Sequence, residues 1–538
     1  MNIEQILTNR LEENMKGRNH KLTLNDLPNP EEIPGMKKSV KRIIKNLKNG
    51  KKMRLVGDYD ADGVFATTIV TLIMKRTKFF RQYDWVVPDR FIDGYGVSKT
   101  IIDKAIEDGI DFIVTVDNGI GAYEAIEYAN ENGIEVIITD HHTTGEKIPN
   151  AYAIVNLKYK PWNYPFIEIS GATIAWYMCA LLVEKLELEI DMRNYIDLVA
   201  ITVISDVMPL KDINLIFFNY GIELIKNRHR KVYELIFDSL KNKTLDESDL
   251  GFLLVPMINA VGRIDHAKNA VNLFISDNMG DIKKGVNYLY SVNNKRKKLT
   301  DQLTELILPE AIKQVSEGHN SIIIKQENLH EGIVGILAGK IAEKFKKPTY
   351  VFGWNRAKSC WKGSGRTSGG INLYKLTKRG ADYALGFGGH KGAVGVAIKE
   401  SHFNEWKNLI QKSSLTISKS LFFEGDLKPL EIDFKDINIE IAEILNQYRP
   451  FGEQFPEVIF KTKCFINIQD SFKEGLHWKV RLSDNFGNKK EGWFFHDKNI
   501  FKYNNKEIDI YVKINKIFTK NGYDLELHCQ IPFESMIE

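Results

Sequence analysis

The stretch Met53–Lys75, MRLVGDYDADGVFATTIVTLIMK, decides the fold. Its short apolar run MRLV breaks at Gly57 into alternating acids, and an apolar helical segment follows at once. A strand that hands its chain directly to a helix is the first half of a βαβ unit. Outward from it the same rhythm returns in IDFIVTVDNGI (110–120), AYEAIEYANENG (122–133) and IEVIITDHH (134–142). From Met53 to Val155 the pattern is therefore βαβαβ, a parallel α/β sheet with right-handed crossovers. Ligands of such sheets gather at the carboxyl ends of the strands. Here those ends read Asp-Tyr-Asp-Ala-Asp-Gly, Val-Asp-Asn-Gly and Thr-Asp-His-His.

Length and composition set the frame. A chain of 538 residues holds two to four domains. No apolar run approaches the roughly 20 residues of a membrane span, and the amino-terminal MNIEQILTNRLEENMKG mixes acids and bases without a signal-peptide core. A cytoplasmic protein is expected, in the host cytoplasm if the gene is viral. Cys179, Cys360, Cys464 and Cys529 form no CxxC pair and are expected as reduced thiols in or near cores. A net charge of +4 does not by itself identify a nucleic-acid partner. Local charge says more: Lys37 to Arg54 contains nine Lys or Arg and no acid, with Val40, Ile43, Ile44 and Leu47 at helical spacing. This tract and NNKRKK (293–298) are each either a solvated helix face or a surface for phosphates.

Beyond the first α/β region the pattern turns helical to about Gly318, and Asp206 closes the apolar helix in NYIDLVAITVISDVMPL (194–210). A smaller α/β signal restarts with SIIIKQ, GIVGILAGKIAEKFKKPTYVF and GAVGVAIKE. Strand-like segments then dominate to the end, as expected of an oligonucleotide-binding (OB) barrel. The expected organisation is a basic helical segment at 1–50, a catalytic domain with helical extension at 51–280, a connecting helix at 281–318, a smaller α/β domain at 319–415 and a barrel at 425–538.

Asp58, Asp60 and Asp62 alternate, which in a strand places all three on one side. Crowded carboxylates raise one another's pKa unless a cation neutralises them. Oxygen ligands joined by one or two imidazoles suit manganese or magnesium more than zinc or copper. A calcium loop is disfavoured, because Thr68, Ile69 and Val70 continue an apolar helix where its closing Glu would stand. With Asp117, His141 and Asp206 there are ligands enough for two cations, and Asp117 at the middle strand end is placed to bridge them. Alone, Asp-Asn-Gly reads as a turn and Asp206 as a helix cap; the combination carries the reading.

That combination resembles the DHH phosphoesterase superfamily and, within it, the RecJ family of single-strand-specific exonucleases. The likeness rests on GDYDADG (57–63), VDNGI (116–120), TDHH (139–142), SDVMPL (205–210) and PMINAVGR (256–263). It continues through HEGIVGILAGKIAEKF (330–345), GFGGHKGAVG (386–395) and RPFGEQFPEVIF (449–460). What it implies is a DHH domain, a long connecting helix, a DHH-associated domain and an OB-type barrel. It also implies two divalent cations, Mn²⁺ by preference or Mg²⁺. One would be held by Asp58, Asp60 and Asp117, the other by Asp62, Asp117, His141 and Asp206. His142 and, from the second domain, His390 beside Gly388 and Gly389 would contact the scissile phosphate, with Asp140 orienting an imidazole. Arg90, Ser364 and Arg366 resemble a pocket for a 5′-terminal phosphate, and Arg263 a contact to the strand backbone. Two positions depart from the family: Glu453-Gln454-Phe455-Pro456 replaces Gly-Asn-Pro, and GRTSGG replaces the commoner Arg-Ser pairing.

The resemblance implies a 5′-to-3′ exonuclease that degrades single-stranded DNA to mononucleotides in recombination and repair. It would act as a monomer, alongside a single-strand-binding protein and a helicase. One alternative is a DHH phosphodiesterase of short RNA or cyclic dinucleotides, against which the β-rich tail argues. Another is a non-catalytic strand-binding scaffold, against which the complete ligand set argues.

Overall fold

A computed structural model describes residues 2–532 except 20, 146, 160–161, 163, 239–244, 357, 369–370, 416–427, 473–474, 476, 496–499 and 520–521. The expected barrel boundary at 425 and the last two glycines of the loop 363–370 lie outside the described residues. The chain divides into two compact units, one of Met1–Val86, Ile102–Val255 and Leu427–Glu538, the other of Val87–Ile101 and Pro256–Asp426.

The first unit is built on a five-stranded sheet of β1 (Met53–Val56), β2 (Tyr83–Val86), β3 (Phe112–Val116), β4 (Glu135–Thr139) and β5 (Ala153–Val155). Their order is β2-β1-β3-β4-β5, and every pairing is parallel. β1 and β3 are buried along their whole length, which is why they read as continuous apolar runs. The edge strands β2 and β5 escape the sequence reading, because YDWV and AIV are short and only partly buried. Helix Ala61–Met74 packs against helix Gly171–Lys185 and is buried on nearly every face, consistent with its lack of a polar side.

The basic tract forms helix Met36–Lys48. Val40, Ile43 and Leu47 are buried, whereas Lys37, Lys38, Lys41, Lys45 and Lys48 face solvent. Arg42 anchors it to the amino-terminal edge of the sheet, with Nη2 at 2.5 Å from Glu135 Oε2. This helix thus lies at the strand ends opposite those that carry the acids.

In the second unit, β6 (Ile322–Lys325), β7 (Thr349–Asn355), β8 (Cys360–Arg366), β9 (Ala384–Gly389) and β10 (Ala393–Ile398) form a mixed sheet ordered β6-β7-β8-β10-β9. Only β6 and β7 pair in parallel. Its core is aromatic: Trp406 meets Tyr350 and Phe352 edge-on at 5.2 and 5.4 Å between ring centroids. The expected connecting helix is present over Met279–Ser316.

The barrel belongs to the first unit. Strands β11 (Leu430–Glu431), β12 (Phe460–Phe472), β13 (His477–Ser483), β14 (Lys489–Phe495), β15 (Glu507–Thr519) and β16 (Gly522–Gln530) run in the order β11-β12-β13-β14-β16-β15. β12 also pairs with β15, so the sheet returns on itself in the manner of an OB fold. Ahead of it, Glu247 Oε1 accepts from Arg449 Nη1 at 2.5 Å and from the Phe451 amide at 2.9 Å. The Leu210 amide donates to the Glu453 carbonyl at 3.4 Å, tying the start of the barrel to the turn that follows Asp206. All four cysteines are buried free thiols. Among the described residues no helix is long and apolar enough to cross a membrane.

Candidate active site

The three alternating acids do not lie along a strand. β1 ends at Val56, Asp60 is the N-cap of helix Ala61–Met74, and Asp62 sits in its first turn. The Asp60 carboxylate accepts from the Gly63 amide at 3.1 Å, and this local hydrogen bond starts the helix earlier than alternation suggests. The acids still converge, because a strand end, a cap and a first turn wrap one corner of the sheet. Asp58, Asp60 and Asp117 bring carboxylate oxygens within 4.8 Å of one another, as do Asp62, His141 and Asp206 with an imidazole nitrogen among them. His141 Nε2 stands 3.2 Å from Asp117 Oδ1, 3.4 Å from Asp206 Oδ2 and 3.6 Å from Asp62 Oδ2.

Asp117 takes a left-handed backbone, φ 63°, immediately after β3. Its neighbour Asn118 is fully buried and donates from Nδ2 to the carbonyls of Val56 and Val116, lacing β1 to β3. Across the cluster, a Cβ on Gly171 would lie 2.5 Å from Asp117 Cβ, so this position admits no side chain. The amides of Gly171 and Ala172 donate to the two oxygens of Asp62 at 2.6 and 2.9 Å, which places that carboxylate on the amino end of helix Gly171–Lys185. Neither Asn118 nor Gly171 stood out in the sequence as a site residue. Their signal is a buried amide two residues past a strand end, and a glycine directly after a Ser cap.

Electrostatics follow from the crowding. Burial first, and then Asp60, push the Asp62 carboxyl up to about 7. Burial and the neighbouring acids raise Asp117 and Asp206 well above the usual carboxylate range. Burial, then the charge of His142, lowers His141 to about 3, which leaves a neutral imidazole suited to ligation. Burial also opposes charge on His142, but its hydrogen bond to Asp140 outweighs this and lifts it to about 9. Asp140 Oδ1 lies 2.8 Å from His142 Nδ1, while Oδ2 accepts from the Ile120 amide at 2.9 Å. The imidazole that Asp140 orients is therefore that of His142. Crowded buried carboxylates with one neutral imidazole fit hard divalent cations of the manganese or magnesium kind.

The remaining sequence candidates lie in the second unit. Arg366 Nη1 donates to Ser364 Oγ at 2.6 Å and to the Gly365 carbonyl at 2.8 Å. Burial, then the charge of Arg90, lowers the pKa of Arg366, so two guanidinium groups share one region. A Cβ on Gly335 would lie 2.9 Å from Arg366 Nη2, which sets that guanidinium against the first turn of helix Val334–Phe345. Two cations, a hydroxyl and a helix amino end are groups of the kind that bind anions. Beside it Phe91 meets the His330 ring edge-on at 5.4 Å. Arg263 Nη1 donates to the Gly332 carbonyl at 3.3 Å. Gly388 and Gly389 end β9, and His390 follows with its amide bonded to the Ala393 carbonyl at 2.8 Å.

On the barrel, Phe472, Trp493 and Phe495 form a row of rings. Phe472 and Trp493 have centroids 5.6 Å apart, and Trp493 and Phe495 lie 6.0 Å apart and nearly parallel. His477 and His528 flank Phe495.

Family models described as the DHH family N-terminal domain, the DHHA1 domain and the RecJ OB domain match residues 52–203, 318–413 and 430–530. The single-stranded-DNA-specific exonuclease RecJ of Escherichia coli is 32% identical over 478 residues, spanning 84% of this chain and 82% of that protein. Its Haemophilus influenzae counterpart is 28% identical over 534 residues, spanning 94% of this chain and 90% of that protein. With RecJ of Bacillus subtilis the identity is 32% over 85% of this chain but only 58% of the relative's length. A crystal structure of Thermus thermophilus RecJ in complex with Mn²⁺ shares the fold, with TM-score 0.75 at 23% identity over 93% of this chain and 72% of that one. A structure of exonuclease RecJ bound to manganese is 27% identical, with TM-score 0.62 over 74% of this chain and 98% of that one.

Proposed function

The chain belongs to the RecJ family, and from that premise we propose that it is a cation-dependent exonuclease that degrades single-stranded DNA from its 5′ end to mononucleotides. The observation that carries the proposal is a pair of adjoining ligand groups at one corner of a parallel sheet: Asp58, Asp60 and Asp117 in one, and Asp62, Asp117 and Asp206 around a neutral His141 in the other. Asp58, Asp60 and Asp117 would hold one divalent cation, and Asp62, Asp117, His141 and Asp206 the other. Bound Mn²⁺ or Mg²⁺ would supply Lewis acidity at the scissile phosphate and lower the pKa of water. His142, held cationic and fixed by Asp140, would present an imidazolium N–H to a phosphate oxygen as charge builds there.

Polarity comes from the second unit. Arg90, Arg366, Ser364 and the amino end of helix Val334–Phe345 bind the terminal 5′-phosphate, so hydrolysis begins at that end of the strand. Arg263 and the Gly388-Gly389-His390 corner hold the strand behind it, with His390 at the scissile phosphate. The ring row of the barrel stacks bases without regard to sequence. The enzyme works as a monomer in the cytoplasm, on strands that a helicase exposes and a single-strand-binding protein covers.

The test is digestion of end-labelled oligonucleotides by the purified protein with Mn²⁺. Labelled mononucleotides released from 5′-phosphorylated single strands, with duplex spared, are expected. Intact single strands after prolonged incubation, or faster turnover of dinucleotides than of long strands, defeat the proposal.

A further inference from the structure

Val207, the residue after Asp206, occupies a backbone conformation that its side chain disfavours. Its φ is +53°, in the left-handed region. Among the described residues nine non-glycine positions share that sign, and Val207 alone of them is β-branched. Branching at Cβ makes this conformation costlier than for any polar neighbour.

The geometry is a helix terminus. After helix Ile196–Ser205, the Val207 amide donates to the Ile204 carbonyl at 3.3 Å and the Met208 amide to the Val203 carbonyl at 2.9 Å. That pair of bonds closes a helix around a position where glycine is preferred. Glu187 and Arg228 hold the same position after helices Gly171–Lys185 and Asp212–Lys226, with the same two bonds, and theirs are long polar side chains. At 207 the side chain is an isopropyl group, and it is 60% exposed. The backbone beyond it is firmly fixed: the Pro209 carbonyl accepts from Asn214 Nδ2 at 3.0 Å, and the Leu210 amide reaches the Glu453 carbonyl. Val207 therefore gains neither burial nor backbone comfort, and its surroundings hold it in place. Strain of this kind persists where it serves a site, and the preceding carboxylate stands 3.4 Å from His141.

We infer that Val207 is a substrate-positioning residue, whose isopropyl group packs against a nucleobase of the strand beside the carboxylate cluster. The inference rests on the single-strand exonuclease reading and adds an apolar contact to a site otherwise made of charges. A branched aliphatic group on a base face tolerates every base, as a nuclease without sequence preference requires.

Two variants separate this role from a structural one. In Val207→Gly the strain and the contact both go. Thermal unfolding should move to higher temperature, while KM for a 5′-phosphorylated oligonucleotide rises about 10-fold with kcat nearly unchanged. In Val207→Ala much of the contact goes and the backbone strain largely stays, so KM rises about 3-fold with no gain in stability. A strand whose first two nucleotides are abasic should be processed alike by wild type and both variants. Fluorescence anisotropy of strand binding in Ca²⁺ reads the same contact without turnover, so a wild type that binds but does not cleave fails the exonuclease reading alone. Equal KM and equal binding for wild type and Val207→Gly overturn the inference. So do a lower unfolding temperature for Val207→Gly, and a loss of the same size on the abasic strand.

Discussion

The carboxylate cluster of the first unit and the guanidinium pocket of the second are electrostatic opposites built on one plan. In one, Asp58 and Asp60 crowd Asp117, which with Asp62 and Asp206 surrounds His141; in the other, Arg90 and Arg366 face one region beside a helix amino end. Each gathers like charge that folding alone leaves poorly compensated, and each becomes favourable when the opposite charge arrives. In the proposed function, cations answer the first and a terminal phosphate the second. The difference lies in how completely the fold itself answers: Ser364 and the Gly365 carbonyl take up hydrogen bonds of Arg366, whereas the acids raise one another's pKa. A positive pocket of this kind can wait for its ligand with small loss, and a negative cluster is strained until filled.

The largest expected effect lies at the acids. Asp117→Ala removes the carboxylate common to both proposed cation sites, and single-turnover hydrolysis in Mn²⁺ should fall by about 10³-fold or more. Residual activity within tenfold of wild type would show that Asp117 bridges nothing. Next comes the pocket. Arg366→Ala should raise KM for 5′-phosphorylated strands by about 10-fold to 100-fold and erase the preference over 5′-hydroxyl strands, leaving kcat on the latter intact. An equal loss on both strands would mean that Arg366 does not read the terminal phosphate.

The smallest effect is on stability. Asp62 is raised to about 7, Asp117 and Asp206 are also raised well above the usual carboxylate range, and His142 is raised to about 9 from 6.5. Groups raised in the folded state stabilise it below their unfolded pKa and lose that contribution as pH climbs through the folded one. His141, lowered to about 3, works the other way, but only between about 3 and 6.5. From pH 6.5 to 9 all the remaining signs agree. Protein freed of cations by chelation should therefore unfold at progressively lower temperature across that window, and Mn²⁺ should reverse the trend. A flat profile in scanning calorimetry would remove the idea that the cluster is strained when empty.

Much of this was legible because the chemistry sits at strand ends, where an apolar run gives way to acids within one or two residues. Asp117, Asp140, His141 and His142 could be placed from that transition alone. The alternation of Asp58, Asp60 and Asp62 misled, since the first hydrogen bonds of a helix are local and override a strand period. The edge strands Tyr83–Val86 and Ala153–Val155 were illegible because an edge needs neither a full apolar run nor strict alternation. Gly171 was beyond reach, because its role is set by the approach of Asp117 from 54 positions away in the chain. The joining of Val87–Ile101 to a unit that otherwise begins at Pro256 leaves no local mark in the sequence either.

The hold of Gly171 and Ala172 on Asp62 bears on what the crowded acids cost the fold. Both oxygens of that carboxylate already rest on the positive end of a 15-residue helix. Part of the countercharge is thus supplied by the backbone before any cation binds. The cost of closing this corner of the sheet without a cation is lowered accordingly. Such a corner does not depend on a cation for all of its countercharge, in contrast to small zinc domains that fold only around their metal.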